Sequence, residues 1–197
     1  MSAGLTPTKH ALREQVRNSR RNRSAHDRET AQQQIADRLL SLTIAHRATA
    51  VSCYLSTPTE PGTRTFIAQA LARGIRMLLP HSRADGLLEW SWTTSLDNAL
   101  RPGLYGIDEP ANPGTAPGVL TEVDLIIVPA AAVDAYGTRL GWGRGYFDRA
   151  LTARENDVPV YAVVFDDEVL SHVPAEPHDH AVTGIVTPRR TLTVAPR

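Results

Sequence analysis

The sequence is short of the simple devices that stabilise or localise a chain. It has a single cysteine, Cys53, among 197 residues, which excludes an internal disulfide and a cysteine-built zinc site. No apolar run approaches membrane-spanning length, and the start, MSAGLTPTKHALREQ, lacks the apolar core of a secretory signal. A soluble, cytoplasmic protein is the expectation. Net charge is absent as well, with 21 basic residues against 21 acidic ones. No global field draws the chain to nucleic acid or an anionic membrane, so any anion binding must be local. Lysine is almost missing: Lys9 is the sole lysine among those 21 basic residues. Genome composition accounts for such a bias, yet the lone lysine hints that a compact charge on a flexible stem is wanted there.

What is present reads as globular. The chain is 42% hydrophobic and 21% charged, which excludes disorder, collagen-like structure and a membrane bundle. Its length predicts one domain over residues 1–197 with a buried core. Lys9, Arg13, Arg17 and Arg20 or Arg21 follow at helical spacing, with Leu12 and Val16 on an adjoining face. Ser24 or Asp27 caps a second helix carrying Ala31, Ile35 and Leu39, so helices are expected over 8–43, packed on a sheet. Strands are expected at Thr49–Leu55, in IRMLLP, in the alternating LLEWSWTT, in the uninterrupted VDLIIVP, in VPVYAVVF and in AVTGIVTP. A helix ends at Gly74, another covers Tyr146–Arg154, and the Pro- and Gly-rich stretch 101–119 reads as loop. Covered strands alternating with helices predict a three-layer α/β/α domain with a mostly parallel sheet. Ligands in such sheets sit beyond the carboxyl ends of the strands, which directs attention to the loops after Leu55, Pro80, Val128 and Phe165.

The most informative stretch is Arg139-Leu-Gly-Trp-Gly-Arg-Gly-Tyr-Phe-Asp148. Glycines at alternate positions free the backbone for positive φ and close approach to a ligand. Successive amides in that geometry form an anion nest, or simply a tight turn; the flanking Arg139 and Arg144 favour the nest and phosphate. Asp148 then falls where it can hold a hydrated Mg²⁺ bridging phosphates. A Walker A loop and a dinucleotide fingerprint are both absent.

Other candidates carry two readings each. Lys9 and Arg13 share one helix face, reaching phosphates or forming a solvated basic surface. Glu60 accepts hydrogen bonds from an amino-heterocycle, acts in acid–base chemistry, or is an ordinary loop carboxylate. Asp134 is a second metal ligand, a partner that orients Arg139, or a loop cap. In His178-Asp179-His180, adjacent residues cannot converge on one ion, which leaves Asp179 as an oxygen ligand to Mg²⁺. Trp90, Trp92 and Trp142 stack on a flat ring or pack, Trp142 being the strongest candidate for stacking. Cys53 reads as a small core hydrophobe. No Ser-His or Cys-His arrangement is evident.

Together these segments resemble the 5-formyltetrahydrofolate cyclo-ligase family. The densest likeness is VDLIIVPAAAVDAYGTRLGWGRGYFDRAL. Supporting it in order are Lys9-x-x-x-Arg13, Tyr54-Leu55 to Glu60-x-x-Thr63, Leu78 to Pro80, Tyr105-Gly106-Ile107-x-Glu109-Pro110 and Pro177-His178-Asp179. Ala130, Val133 and Phe147 depart from the pattern, where glycine, phenylalanine and tyrosine are usual. The resemblance implies a fold related to the sugar-phosphate isomerase and CoA-transferase group. It also implies ATP- and Mg²⁺-dependent cyclisation of 5-formyltetrahydrofolate to 5,10-methenyltetrahydrofolate. On that likeness ATP lies on Lys9, Arg13, Arg139, Leu140, Gly141, Trp142, Gly143, Arg144, Gly145, Tyr146 and Phe147. Leu55, Glu60 and the run from Trp142 through Gly143, Arg144 and Gly145 to Tyr146 face the folate. Asp148 and Asp179 bind the metal, and Lys9, Arg144 and Tyr146 are the candidate catalytic groups. The expected partners are small molecules, with neither nucleic acid nor membrane, for a chain acting as a monomer. A sugar-phosphate isomerase or deaminase on a related fold, or a nucleotide- or RNA-binding module, are the alternatives.

Overall fold

The computed structural model describes residues 8–96, 100–112, 114, 117–152, 157–176 and 179–194. The helices are α1 (Lys9–Asn22), α2 (Ala25–Ala45), α3 (Arg64–Ala72) and α4 (Tyr146–Leu151). The first strands are the short β1 (Ala50–Ser52), the longer β2 (Arg76–Ser82) and β3 (Leu88–Thr93), and the short β4 (Leu100–Pro102) and β5 (Asp108–Pro110). Then come β6 (Leu125–Pro129), β7 (Ala132–Asp134), β8 (Arg139–Leu140), β9 (Val160–Val163), β10 (Val169–Leu170), β11 (Gly184–Val186) and β12 (Thr191–Thr193).

Seven strands form one sheet in the order β12-β11-β9-β6-β1-β2-β3. Its interior pairs are parallel, while the edge strands β3 and β12 run antiparallel to their neighbours. VDLIIVP supplies β6 at the centre, where an apolar run with no polar alternation can be covered on both faces. Side-chain alternation then builds two cores. Val51, Met77, Leu79, Leu125, Ile127 and Val163 face α2 and α3; Leu78, Ile126, Val128, Val160 and Ala162 face α4, Trp90 and Leu120. The three-layer, mostly parallel architecture is as the pattern predicts.

Thr8 caps α1 by accepting from the Ala11 amide, and Ser24 caps α2 by accepting from that of Asp27. α2 lies on the main sheet through Ile35, Ala36 and Leu39. α1 instead sets Leu12 and Val16 against Ala131, Ala132, Leu140 and Val173, on a three-stranded sheet ordered β10-β7-β8. That small sheet is what brings the first helix to the glycine-rich turn, since β8 runs directly into it.

Several elements differ from the sequence reading. The stretch 101–119 is not all loop: β4 and β5 pair as a hairpin there. β3 breaks its alternation, with Ser91 buried and Trp92 partly exposed; the buried Ser91 hydroxyl meets His81 Nε2 at 2.7 Å. The helix at Tyr146 is described to Leu151; residues 153–156 lie outside the described residues. Among the described residues no helix is long and apolar enough to cross a membrane.

Candidate functional site

One cavity of about 490 Å³ opens at the carboxyl ends of the central strands. Its lining comes from the loop after β1 (Leu55, Glu60), from the carboxyl-terminal residues of β2 (Pro80, Ser82) and β6 (Pro129), and from α1 through Arg17, Arg20 and Arg21. The β4–β5 hairpin adds Tyr105, Ile107 and Glu109, and the glycine-rich turn adds Gly141, Trp142, Arg144, Gly145, Tyr146, Phe147 and Asp148. The loop after Phe165 contributes no lining residue among those described; its Glu168 is instead buried in an ion pair with Arg20.

The loop after β1 is pinned before it reaches the cavity. Thr63 Oγ1 donates to the Tyr54 carbonyl at 2.6 Å, and the Thr63 amide donates to Ser56 Oγ at 3.0 Å. Glu60 accepts from the Thr57 amide at 2.8 Å through one carboxylate oxygen. Burial, reinforced by the negative charge of Glu60, raises the Tyr54 phenol well above its ordinary pKa, so it stays neutral.

The turn itself needs glycine at two of its three positions, with φ of 90° at Gly143 and 68° at Gly145. A Cβ on Gly143 would lie 3.3 Å from Arg13 Cζ, so the arginine packs directly on bare backbone. Arg13 Nε donates to the Gly141 carbonyl at 2.8 Å, which ties α1 to the turn. Beneath it Arg139 is buried, ion-paired with Asp148, and donates to the Pro129 carbonyl at 3.4 Å. Its guanidinium therefore holds Asp148 at the cavity wall that both residues line, and Arg144 is the exposed arginine of the motif.

Lys9 opens α1 one turn before Arg13. Its ammonium meets Asp179 Oδ2 at 2.7 Å and Glu176 Oε2 at 3.1 Å. Burial pulls its pKa down, but the hydrogen bonds it donates to the two carboxylates outweigh that and leave it raised. The lone lysine and the late aspartate, 170 positions apart, thus share one place. Pro177 and His178 lie outside the described residues. The two carboxylates expected to hold a metal, Asp148 and Asp179, offer oxygen donors of the kind Mg²⁺ takes, and each is paired with a cation, Arg139 and Lys9 respectively. Among the described residues no three His, Cys, Asp or Glu side chains gather into a cage.

Burial and the hydrogen bond with Tyr105 push the Tyr146 phenol up to about 12, so it remains a donor at neutral pH. Trp142 lies beneath two arginines, with Arg17 Cζ 5.4 Å and Arg20 Cζ 4.9 Å from its ring centroid. Trp90 is core, edge-on to Phe147 at 6.3 Å, and Trp92 packs under Arg76. Asp134 is the loop cap: buried, it accepts from the amides of Tyr136, Thr138 and Val173 and is no metal ligand here. Cys53 is fully buried, and burial pushes its thiol pKa up, as befits a small core hydrophobe.

A family model for 5-formyltetrahydrofolate cyclo-ligases matches residues 5–188, nearly the whole chain. The chain belongs to the 5-formyltetrahydrofolate cyclo-ligase family. A Mycolicibacterium smegmatis 5-formyltetrahydrofolate cyclo-ligase is 37% identical over 188 residues, covering 94% of this chain and 96% of that one. The NMR structure of Aquifex aeolicus 5,10-methenyltetrahydrofolate synthetase superposes with a TM-score of 0.80 at 26% identity, covering 94% and 92% of the two chains. A Mycoplasma pneumoniae 5,10-methenyltetrahydrofolate synthetase shares the fold, with a TM-score of 0.73 at 20% identity and coverage of 92% and 99%.

The departures from the cyclo-ligase pattern are absorbed locally. Ala130 is buried and its carbonyl accepts from Arg20 Nη2 at 2.8 Å; Val133 is core; Phe147 packs on Trp90 while lining the cavity. The sequence reading assigns no site role to several groups that line the cavity, Tyr105, Glu109 and Arg20 among them. Tyr105 and Glu109 stand in a stretch read as loop, although the pattern around them was visible. Arg20 appeared only as one of a helical row. The structure also corrects the absence of any Ser-His pair, since His81 Nε2 meets Ser91 Oγ and its Nδ1 lies 3.6 Å from Glu109 Oε2. That set is no hydrolytic triad. Ser91 is 3% exposed, and the His–Glu gap exceeds a hydrogen bond.

Proposed function

We propose that the protein converts 5-formyltetrahydrofolate to 5,10-methenyltetrahydrofolate, consuming ATP and releasing ADP and phosphate. The observation that carries this reading is the convergence at Gly141. Arg13, Arg139 and Asp148 meet the glycine-rich turn there, at the edge of a cavity with room for a heterocyclic substrate.

A formamide oxygen leaves poorly, so ring closure requires that it be activated first. In the proposed sequence the formyl oxygen attacks the γ-phosphorus and the bond to ADP breaks. N10 then adds to the formyl carbon, its proton passes to the departing phosphate, and the carbon–oxygen bond breaks. Phosphoryl transfer asks the protein for positioning and charge neutralisation rather than for a nucleophile. Lys9, Arg13 and the run from Arg139 to Phe147 are the proposed ATP site. Leu55, Glu60 and Trp142 to Tyr146 are the proposed folate side, with Glu60 accepting from the amino-heterocycle. Arg144 faces the transferred phosphoryl group as a cation. Tyr146, held neutral, donates a hydrogen bond and does not act as a base. Asp148 and Asp179 would hold Mg²⁺, which when bound neutralises phosphate oxygens.

The test is the absorbance of the conjugated methenyl product, followed with purified protein, 5-formyltetrahydrofolate and ATP, with and without Mg²⁺. Product that depends on both nucleotide and metal is expected. Product formed at full rate without nucleotide overturns the reading.

A further inference from the structure

Between β4 and β5 the chain turns through Leu104–Gly106, and Tyr105 sits there with φ of 62°. A bulky side chain rarely adopts that left-handed geometry, which persists only where its surroundings hold it. Burial does not account for it, because Tyr105 is 52% exposed. Its contacts are specific instead. The Arg144 guanidinium lies over its ring with Cζ 3.6 Å from the centroid. Its hydroxyl lies 3.3 Å from that of Tyr146, which in turn donates to the Arg83 carbonyl.

The hairpin is anchored independently of this ring. Glu109, buried, accepts from the Ser82 amide at 2.8 Å, and its side chain occupies the space that a Cβ on Gly103 would need. Arg64 Nη2 donates to Asp108 at 2.8 Å on the other side. Arg144 has no such support. It stands exposed between two glycines of positive φ, and among the described residues no ion pair is formed by its guanidinium. A long arginine left in that state samples many rotamers. The Tyr105 face localises it against the cavity that both residues line.

We infer that Tyr105 is a positioning residue, whose ring holds the Arg144 guanidinium where phosphoryl transfer needs a cation. The inference rests on the proposed ATP-dependent reaction. Because Tyr105 acts through Arg144, its contribution vanishes when Arg144 is gone.

A double-mutant cycle tests this. Rates are measured for wild type, Tyr105→Asn, Arg144→Gln and the double variant, with melting temperatures alongside. Asparagine removes the ring yet tolerates the left-handed backbone, and Tyr105→Gly is the second ring deletion should the first not fold. Tyr105→Asn should lower kcat about threefold to thirtyfold, the range of a cation–π contact, with the folate KM moving less than about twofold. Tyr105→Phe, which keeps the ring, should recover most of that loss. In the Arg144→Gln background the same Asn substitution should cost less than about twofold. Equal losses in both backgrounds, or wild-type kcat in the ring deletions, overturn the inference. Inactive wild type overturns the underlying reaction instead, so the two failures are distinguishable.

Discussion

Arg20 ties α1 to Glu168 and to the Ala130 carbonyl through buried contacts. Its Nε and Nη2 meet the two Glu168 oxygens at 2.7 and 2.8 Å, and Nη2 also donates to the Ala130 carbonyl. Both side chains are 2% exposed. Burial opposes the charge on Arg20, and its hydrogen bonds with Glu168 outweigh this, so its pKa is raised. Arg20→Met preserves the apolar stem but leaves Glu168 buried, with the Phe165 amide as a remaining donor at 2.8 Å. Removing one partner of such a pair costs about 3–5 kcal/mol, most of it the penalty for an uncompensated buried charge. In a chain of this length each kcal/mol is worth about 2–4 °C, so the melting temperature should fall by about 6–20 °C. Urea unfolding gives the free energy directly, at unchanged slope. The double variant Arg20→Met/Glu168→Leu should recover most of the loss, because no charge is then stranded. A single-variant loss under about 1 kcal/mol, or a double variant no better than the single, refutes the reasoning.

Three further outcomes follow from the site. Asp148→Asn should slow turnover at saturating folate and weaken the response to Mg²⁺-ATP, while the thermal midpoint falls by less than for Arg20→Met; wild-type turnover contradicts the metal assignment. Gly143→Val puts a branched side chain at φ of 90°, its Cβ 3.3 Å from Arg13 Cζ, and should raise the KM for ATP at least tenfold; unchanged nucleotide kinetics contradict the nest. His81 has its pKa lowered by burial, chiefly, with Arg101 adding to this against the opposing pull of Glu109. Its neutral form is therefore favoured in the fold. Stability is full above the unfolded value near 6.5 and should decline as pH falls below it, a decline that His81→Asn flattens in pH-dependent melting.

Legibility in the sequence tracked the range of the forces involved. α1 could be read because Lys9, Arg13 and Arg17 recur at one spacing and Leu12 and Val16 at another, both local patterns. β6 and β9 could be read because an unbroken apolar run has few alternatives in an α/β chain. The β7, β8 and β10 strands are two or three residues long and carry no period, so nothing local announces them. The β4–β5 hairpin was hidden because proline and glycine dominate its composition. Within the site, the glycine turn was visible as spacing. The burial of Arg139 in an ion pair with Asp148 at the cavity wall was not, since only the tertiary fold decides which arginine is buried. The same holds for Lys9 and Asp179, brought together by chain ends whose separation no local pattern spans.

The most direct measurement is a crystal structure grown with ATP and Mg²⁺. The triphosphate should lie on the backbone of residues 141–145, with Arg13 and Lys9 beside it and the metal near Asp148. Nucleotide bound elsewhere, with that backbone bare, contradicts the account.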